Sequence, residues 1–78
     1  MYVYILKSKK NDRVYIGSTE NVNVRLEQHN RGDNKSTRAY RPWVLVRKEV
    51  YQDKALALKR EKFLKSGKGR RVVNNLLS

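Results

Sequence analysis

Two short runs of aromatic and β-branched residues open the chain, with only a polar break between them. The first is Tyr2-Val3-Tyr4-Ile5-Leu6-Lys7 and the second Arg13-Val14-Tyr15-Ile16, separated by Lys9-Lys10-Asn11-Asp12. Such runs suit strands on a half-buried pleated surface, and a break this short is most simply closed as a hairpin. Gly17 is expected to end the second strand, through a positive φ or by admitting a close backbone approach. The sheet must then be covered by a chain of 78 residues with no cysteine. That excludes a disulfide scaffold, a cysteine-based zinc site and a Cys nucleophile. One domain over residues 1–78 is expected, with about 4,900 Å² of folded surface and a small core.

Asn21 is placed to cap a helix in which Val22, Arg25, Leu26 and His29 share one face, with Val24 off that stripe. Asn30-Arg31-Gly32 ends it. Residues 33–41 read as an exposed polar connection, closed by Pro42, which biases Arg41 towards an extended shape. Trp43 to Tyr51 is a third strand. Asp53 caps a second helix over Ala55 to Lys65, built from good helix formers. On it Leu56, Arg60 and Phe63 form one flank, and Ala57, Glu61 and Leu64 the next. Ser66-Gly67 is expected to end this helix. Lys68-Gly69-Arg70-Arg71 then reads as a basic loop or turn, and Val72 to Leu77 as a short terminal helix. The order is β-β-α-β-α with a further α at the end.

Lysine and arginine number 19 against 7 aspartates and glutamates, a net charge of +12. Eight basic residues and one acid lie between Lys54 and Arg71, and six basic residues and one acid between Arg31 and Lys48. These two segments flank the third strand and could converge on a phosphate backbone. The other reading is a solvated basic face that only maintains solubility. A membrane surface fits poorly, because Arg60 and Lys62 interrupt the apolar side of the second helix. No run approaches the roughly 20 apolar residues of a membrane span. The apolar start lacks the basic flank and cleavage site of a signal peptide, so a cytoplasmic location is expected.

Glu61 has two readings. It is either a boundary glutamate paired with Arg60, Lys62 or Lys65, or a carboxylate held for a divalent cation, with waters and substrate oxygens completing the shell. Arg25 and His29 lie one turn apart. Arg suits bidentate phosphate binding. The histidine could move a proton or bind phosphate, or be an ordinary helix-end residue. Tyr2, Tyr4 and Tyr15 suit packing across a sheet, and a phenol acts as a base only where its deprotonation is made feasible. There is no Walker loop, dinucleotide glycine pattern or H-E-x-x-H.

Taken together, these motifs closely resemble the GIY-YIG nuclease domain over almost the whole chain, in its small, stand-alone, bacterial-type form. The first motif stands as Tyr2-Val3-Tyr4 and the second as Tyr15-Ile16-Gly17. Arg25 follows ten residues after Tyr15, His29 one turn later, and Glu61 sits in Leu58-Lys59-Arg60-Glu61-Lys62-Phe63. The resemblance implies an α/β fold of the α+β kind, a three-stranded antiparallel sheet with flanking helices. It also implies an endonuclease that cleaves DNA with one divalent metal, Mg²⁺ or Mn²⁺, and a setting such as DNA repair. Glu61 would ligate the metal, Tyr15 or Tyr4 would generate or orient the hydroxide, and Arg25 would hold the scissile phosphate. His29 would relay a proton, and Gly17 would let backbone and phosphate approach closely. Gly17, Ser18, Lys35, Arg38, Arg60, Lys65, Lys68, Arg70 and Arg71 are the candidate nucleic-acid contacts. Tyr2 replaces the first Gly of the family name and Val3 its Ile. Ser18 stands where the excision-repair incision nuclease has a Lys, and that enzyme's terminal Asn has no secure match at Asn74 or Asn75. Family members with known substrates usually carry a separate specificity domain, so a protein partner supplying specificity is expected. The alternatives are a non-catalytic DNA- or RNA-binding module within a larger complex, and a structural protein lending its basic face to a partner.

Overall fold

The computed structural model describes residues 1–77. Its elements are β1 (Tyr2–Ser8), β2 (Val14–Thr19), α1 (Val22–Arg31), a single 3₁₀ turn (Arg38–Tyr40), β3 (Trp43–Val50), α2 (Lys54–Lys65) and α3 (Gly67–Leu77). The strands form one antiparallel sheet in the order β2-β1-β3. This is the expected α+β class and element order.

Strand β1 lies in the middle because both of its faces are apolar. Val3, Tyr4, Ile5 and Leu6 are each no more than 1% exposed. Period-two alternation divides them between two cores. Val3 and Ile5 pack with Ile16, Ala57, Leu64 and Val73 under α2 and α3. Tyr4 and Leu6 pack with Val22, Trp43, Tyr15 and Leu26 on the α1 side. Local signals set the helix ends. The Asn21 side chain accepts from the Val24 N–H at 3.1 Å, and that of Asp53 from the Leu56 N–H at 2.9 Å. Gly32, at φ 91°, terminates α1 in the left-handed region.

Three local expectations are corrected. Strand β2 does not stop at Gly17 but runs on to Thr19. Gly17 has no positive φ and sits opposite Tyr4, where the missing side chain makes room for the phenol. The connection over residues 33–41 is not simply exposed, since Thr37 is 1% exposed and anchors the 3₁₀ turn. The segment Lys68-Gly69-Arg70-Arg71 is helix rather than loop. The Ser66 hydroxyl accepts from the Gly69 N–H at 3.1 Å, and α3 starts at once. Gly69 lies against the backbone of Phe63 and Leu64, where a side chain would collide with the end of α2. Close packing there outweighs the poor helix propensity of glycine. The accessible surface is 5499 Å², larger than the about 4,900 Å² typical of this mass, so single core contacts carry a large share of the stability.

Candidate active site

The site is organised around Gly17 on β2. Register places Tyr4 opposite Gly17 and Val3 opposite Ser18. Tyr4 therefore points to the α1 side and Ser18 to the α2 side. Tyr4 is 1% exposed, and its hydroxyl meets His29 Nε2 at 3.2 Å. On the other edge of the imidazole, Nδ1 meets Thr37 Oγ1 at 2.9 Å. The Thr37 hydroxyl donates to the Asn34 carbonyl at 3.4 Å. With its only proton so directed, Thr37 accepts from His29 Nδ1–H, and Nε2 accepts from Tyr4; this tautomer is assigned from the network. The Thr37 carbonyl accepts from Trp43 Nε1 at 3.0 Å, which fixes the loop beneath the ring.

Burial, and then the neighbouring Arg25 charge, hold His29 below its ordinary pKa, so it is neutral at pH 7. Burial pushes the Tyr4 phenol up to about 12, against the pull of Arg25, while Tyr15 and Glu61 add to the rise. Three groups from three elements thus act electrostatically on one hydroxyl. Tyr15 is half-buried, with its ring centroid 4.6 Å from that of His29 and 6.2 Å from that of Tyr4. It also lines a cleft of about 540 Å³ at the β2 edge, together with Arg13, Lys65, Arg70 and Asn74. Arg25 is exposed on α1 and donates to Gln28 Oε1 at 3.2 Å.

Glu61 approaches from α2, held at the sheet by Ala57 and Leu64, which are buried one turn to either side. Its Oε1 accepts from Ser18 Oγ at 2.6 Å and its Oε2 from Lys65 Nζ at 2.7 Å. The side chain keeps 18% exposure. Partial burial raises its pKa, but the hydrogen bonds from Lys65 and Ser18 and the Lys65 charge outweigh that and leave it lowered. The carboxylate is ionised and reachable, not sealed in packing.

The family model for the GIY-YIG catalytic domain matches residues 1–74. The chain belongs to the GIY-YIG nuclease family. UPF0213 proteins of Staphylococcus aureus strain N315 and of Staphylococcus haemolyticus strain JCSC1435 are each 44% identical to it over 66 residues, covering 83% of this chain and 79% of theirs. No solved structure matches significantly. In this GIY-YIG chain Tyr4, Tyr15 and His29 meet beside the edge strand, with Arg25 near Tyr4 and His29. Glu61 stands on the other face of the sheet, bonded to Ser18. Tyr15 lines one depression, and Arg25 and His29 another.

The other candidates separate into groups. Lys65 is the partner of Glu61. Arg60 is turned to the β3 side, with Nε at 3.0 Å and Nη2 at 3.2 Å from the two oxygens of Glu49. Gly17 is covered by the Tyr4 and Tyr15 rings. Lys68, Arg70 and Arg71 lie exposed on α3, and Lys35 and Arg38 on the connection after α1. Sequence reasoning missed Thr37, which sits in a polar stretch with no local signal. It also missed the bond from Ser18 to Glu61, which the i,i+4 spacing of Glu61 and Lys65 could only half suggest. Among the described residues no group of three His, Cys, Asp or Glu side chains could hold a metal ion. One ionised, part-exposed carboxylate still fits a hard cation bound mostly through water and phosphate oxygens, once Lys65 gives up its oxygen. Among the described residues, no helix is long and apolar enough to cross a membrane.

Proposed function

We propose that the chain is a metal-dependent endonuclease that hydrolyses phosphodiester bonds in DNA, with Glu61 as the protein ligand for Mg²⁺ or Mn²⁺. The observation that carries this reading is the Glu61 carboxylate, ionised and still 18% exposed, tied through Ser18 to the strand that also carries Tyr15 and Gly17. A cation held there would polarise a phosphoryl oxygen and make a bound water more acidic. Arg25, exposed and in no ion pair among the described residues, holds the scissile phosphate and opposes the negative charge that grows on it. Tyr15 borders the open cleft and orients the attacking water. Tyr4 is unsuited as the base, because its pKa of about 12 keeps the proton on and that proton is directed to His29. Neutral His29 holds the phenol in place and can accept its proton. Water oxygen bonds to phosphorus as the bond from phosphorus to the leaving oxygen breaks. The proton that the water gives up ends on the leaving oxygen, so that one water is consumed and a phosphate monoester and a hydroxyl are formed. Lys65, Arg70 and Arg13 along the cleft, with Lys68 and Arg71, supply phosphate contacts.

The test is a cleavage panel on nicked, branched, single-stranded and duplex DNA with Mg²⁺ or Mn²⁺, wild type against Glu61→Ala. The variant is expected to lose at least about 10²-fold in rate while keeping its DNA affinity. Equal cleavage by both proteins removes Glu61 from the reaction, and cleavage in excess chelator removes the metal. A non-catalytic nucleic-acid-binding module is the second reading. It is favoured by one observation, the Lys65 ammonium that already neutralises the Glu61 carboxylate. It predicts binding without cleavage across the whole panel.

A further inference from the structure

A second concavity, of about 680 Å³, lies beyond the C-terminal end of α1 and is lined by Lys10, Lys35, Arg38 and Arg41 but by no carboxylate. Three separate stretches build it: the turn after β1, the end of α1 and the connection leading into β3. The cations are held in place without being neutralised. Lys10 Nζ donates to the Ala39 carbonyl at 3.2 Å, Arg38 Nε to the Gly32 carbonyl at 2.9 Å, and Arg41 Nε to the Arg38 carbonyl at 2.8 Å. Among the described residues none of the four forms an ion pair. Asp33, close enough to Arg38 to feel its charge, has its carboxylate taken by Arg31. Four like charges around one hollow repel each other, and the fold keeps them together by pinning the loop. The Ser8 hydroxyl donates to the Tyr40 carbonyl, and Trp43 Nε1 to the Thr37 carbonyl.

This hollow is not isolated from the active site. Lys35 lines it and also lines the depression that contains Arg25 and His29. Thr37, in the same loop, sets the His29 ring. We propose that the hollow is a second phosphate-binding site, which holds the DNA backbone away from the scissile bond. The choice of DNA as the polyanion rests on the nuclease reading. The molecule measures 29 × 25 × 19 Å, so it can cover at most about eight base pairs at about 3.4 Å each. Within so short a footprint, a second anchor supplies grip and register from the domain itself.

The experiment measures the affinity of a fluorescently labelled 20-base-pair DNA duplex in EDTA, at several salt concentrations. Lys10→Ala/Lys35→Ala is compared with Lys54→Ala/Lys59→Ala, which removes the same charge from α2. Loss of two phosphate contacts makes the plot of log affinity against log salt shallower by about 2, and the α2 variant keeps the wild-type slope. An unchanged slope in the first variant overturns the proposal. So does an equal fall in both, because affinity then tracks net charge alone. No cleavage enters this readout, so failure of the nuclease reading, seen as an inert wild type in the cleavage panel, is told apart from failure of the groove.

Discussion

Replacing Gly17 with alanine tests the packing on which the site is built. A Cβ at this position would lie 2.5 Å from the Tyr4 hydroxyl oxygen, 2.7 Å from its Cζ and 3.1 Å from Tyr15 Cε1. Ordinary contact needs about 3.5 Å, so the phenol must retreat by about 1 Å. Tyr4 is 1% exposed, so it can retreat only against packed neighbours. Overpacking of this kind costs about 1–3 kcal/mol. The retreat also breaks the 3.2 Å bond to His29, worth about 1 kcal/mol. The restricted unfolded chain returns about 0.4–1 kcal/mol. The net loss is about 1–3.5 kcal/mol, centred at about 2. In urea, with a slope of about 1 kcal/mol/M for so small a chain, the midpoint falls by about 2 M. Tyr4→Phe removes the nearest colliding atom, so the double variant should be about 1 kcal/mol more stable than additivity allows. A Gly17→Ala midpoint equal to wild type, or strict additivity in the cycle, would refute the argument that this glycine exists to admit the Tyr4 ring.

Because the pKa of His29 is lowered on folding, acidification below the unfolded value of about 6.5 protonates the unfolded chain before the native one. Stability is therefore fully present above that pH and falls below it, at up to about 1.4 kcal/mol per pH unit. A thermal melt series should show this between about pH 6.5 and 5, above the range where ordinary carboxylates titrate, and His29→Gln should flatten it. Ser18→Ala removes the 2.6 Å bond to Glu61, so the Glu61 pKa should rise. A carboxyl-carbon NMR titration that shows no rise would deny Ser18 that role. Arg60→Ala should cost about 1 kcal/mol in urea unfolding, as expected for a partly exposed bidentate pair. It should leave the salt dependence of DNA binding unchanged, since Glu49 already holds the guanidinium; a shallower slope would show that Arg60 also meets phosphate.

The parts of the fold that were legible in the sequence are those governed by neighbouring residues. Asn21 and Asp53 cap their helices because a short polar side chain reaches an N–H three residues on. Gly32 ends α1 because the left-handed turn there suits a residue without a side chain. The spacing of Tyr4, Tyr15, Arg25, His29 and Glu61 was enough to point to the family. The start of α3 was misread because its two glycines are weak helix formers, and only the approach of Gly69 to the α2 backbone shows why one of them is needed.

What tertiary structure alone decided is partner choice. Arg60, Lys62 and Lys65 all lie within about one turn of Glu61, and helical spacing does not choose among them. The fold turns Arg60 to Glu49 and leaves Lys65 and Ser18 for Glu61. It likewise sets Thr37 beneath His29 and Tyr4 above it. Caps and strand runs depend on torsions and hydrogen bonds a few residues long, which the order of amino acids determined. A hydrogen bond between positions 43 residues apart, as from Ser18 to Glu61, depends on how the sheet register and helix packing bring them together. That placement exists only after the chain has closed on itself.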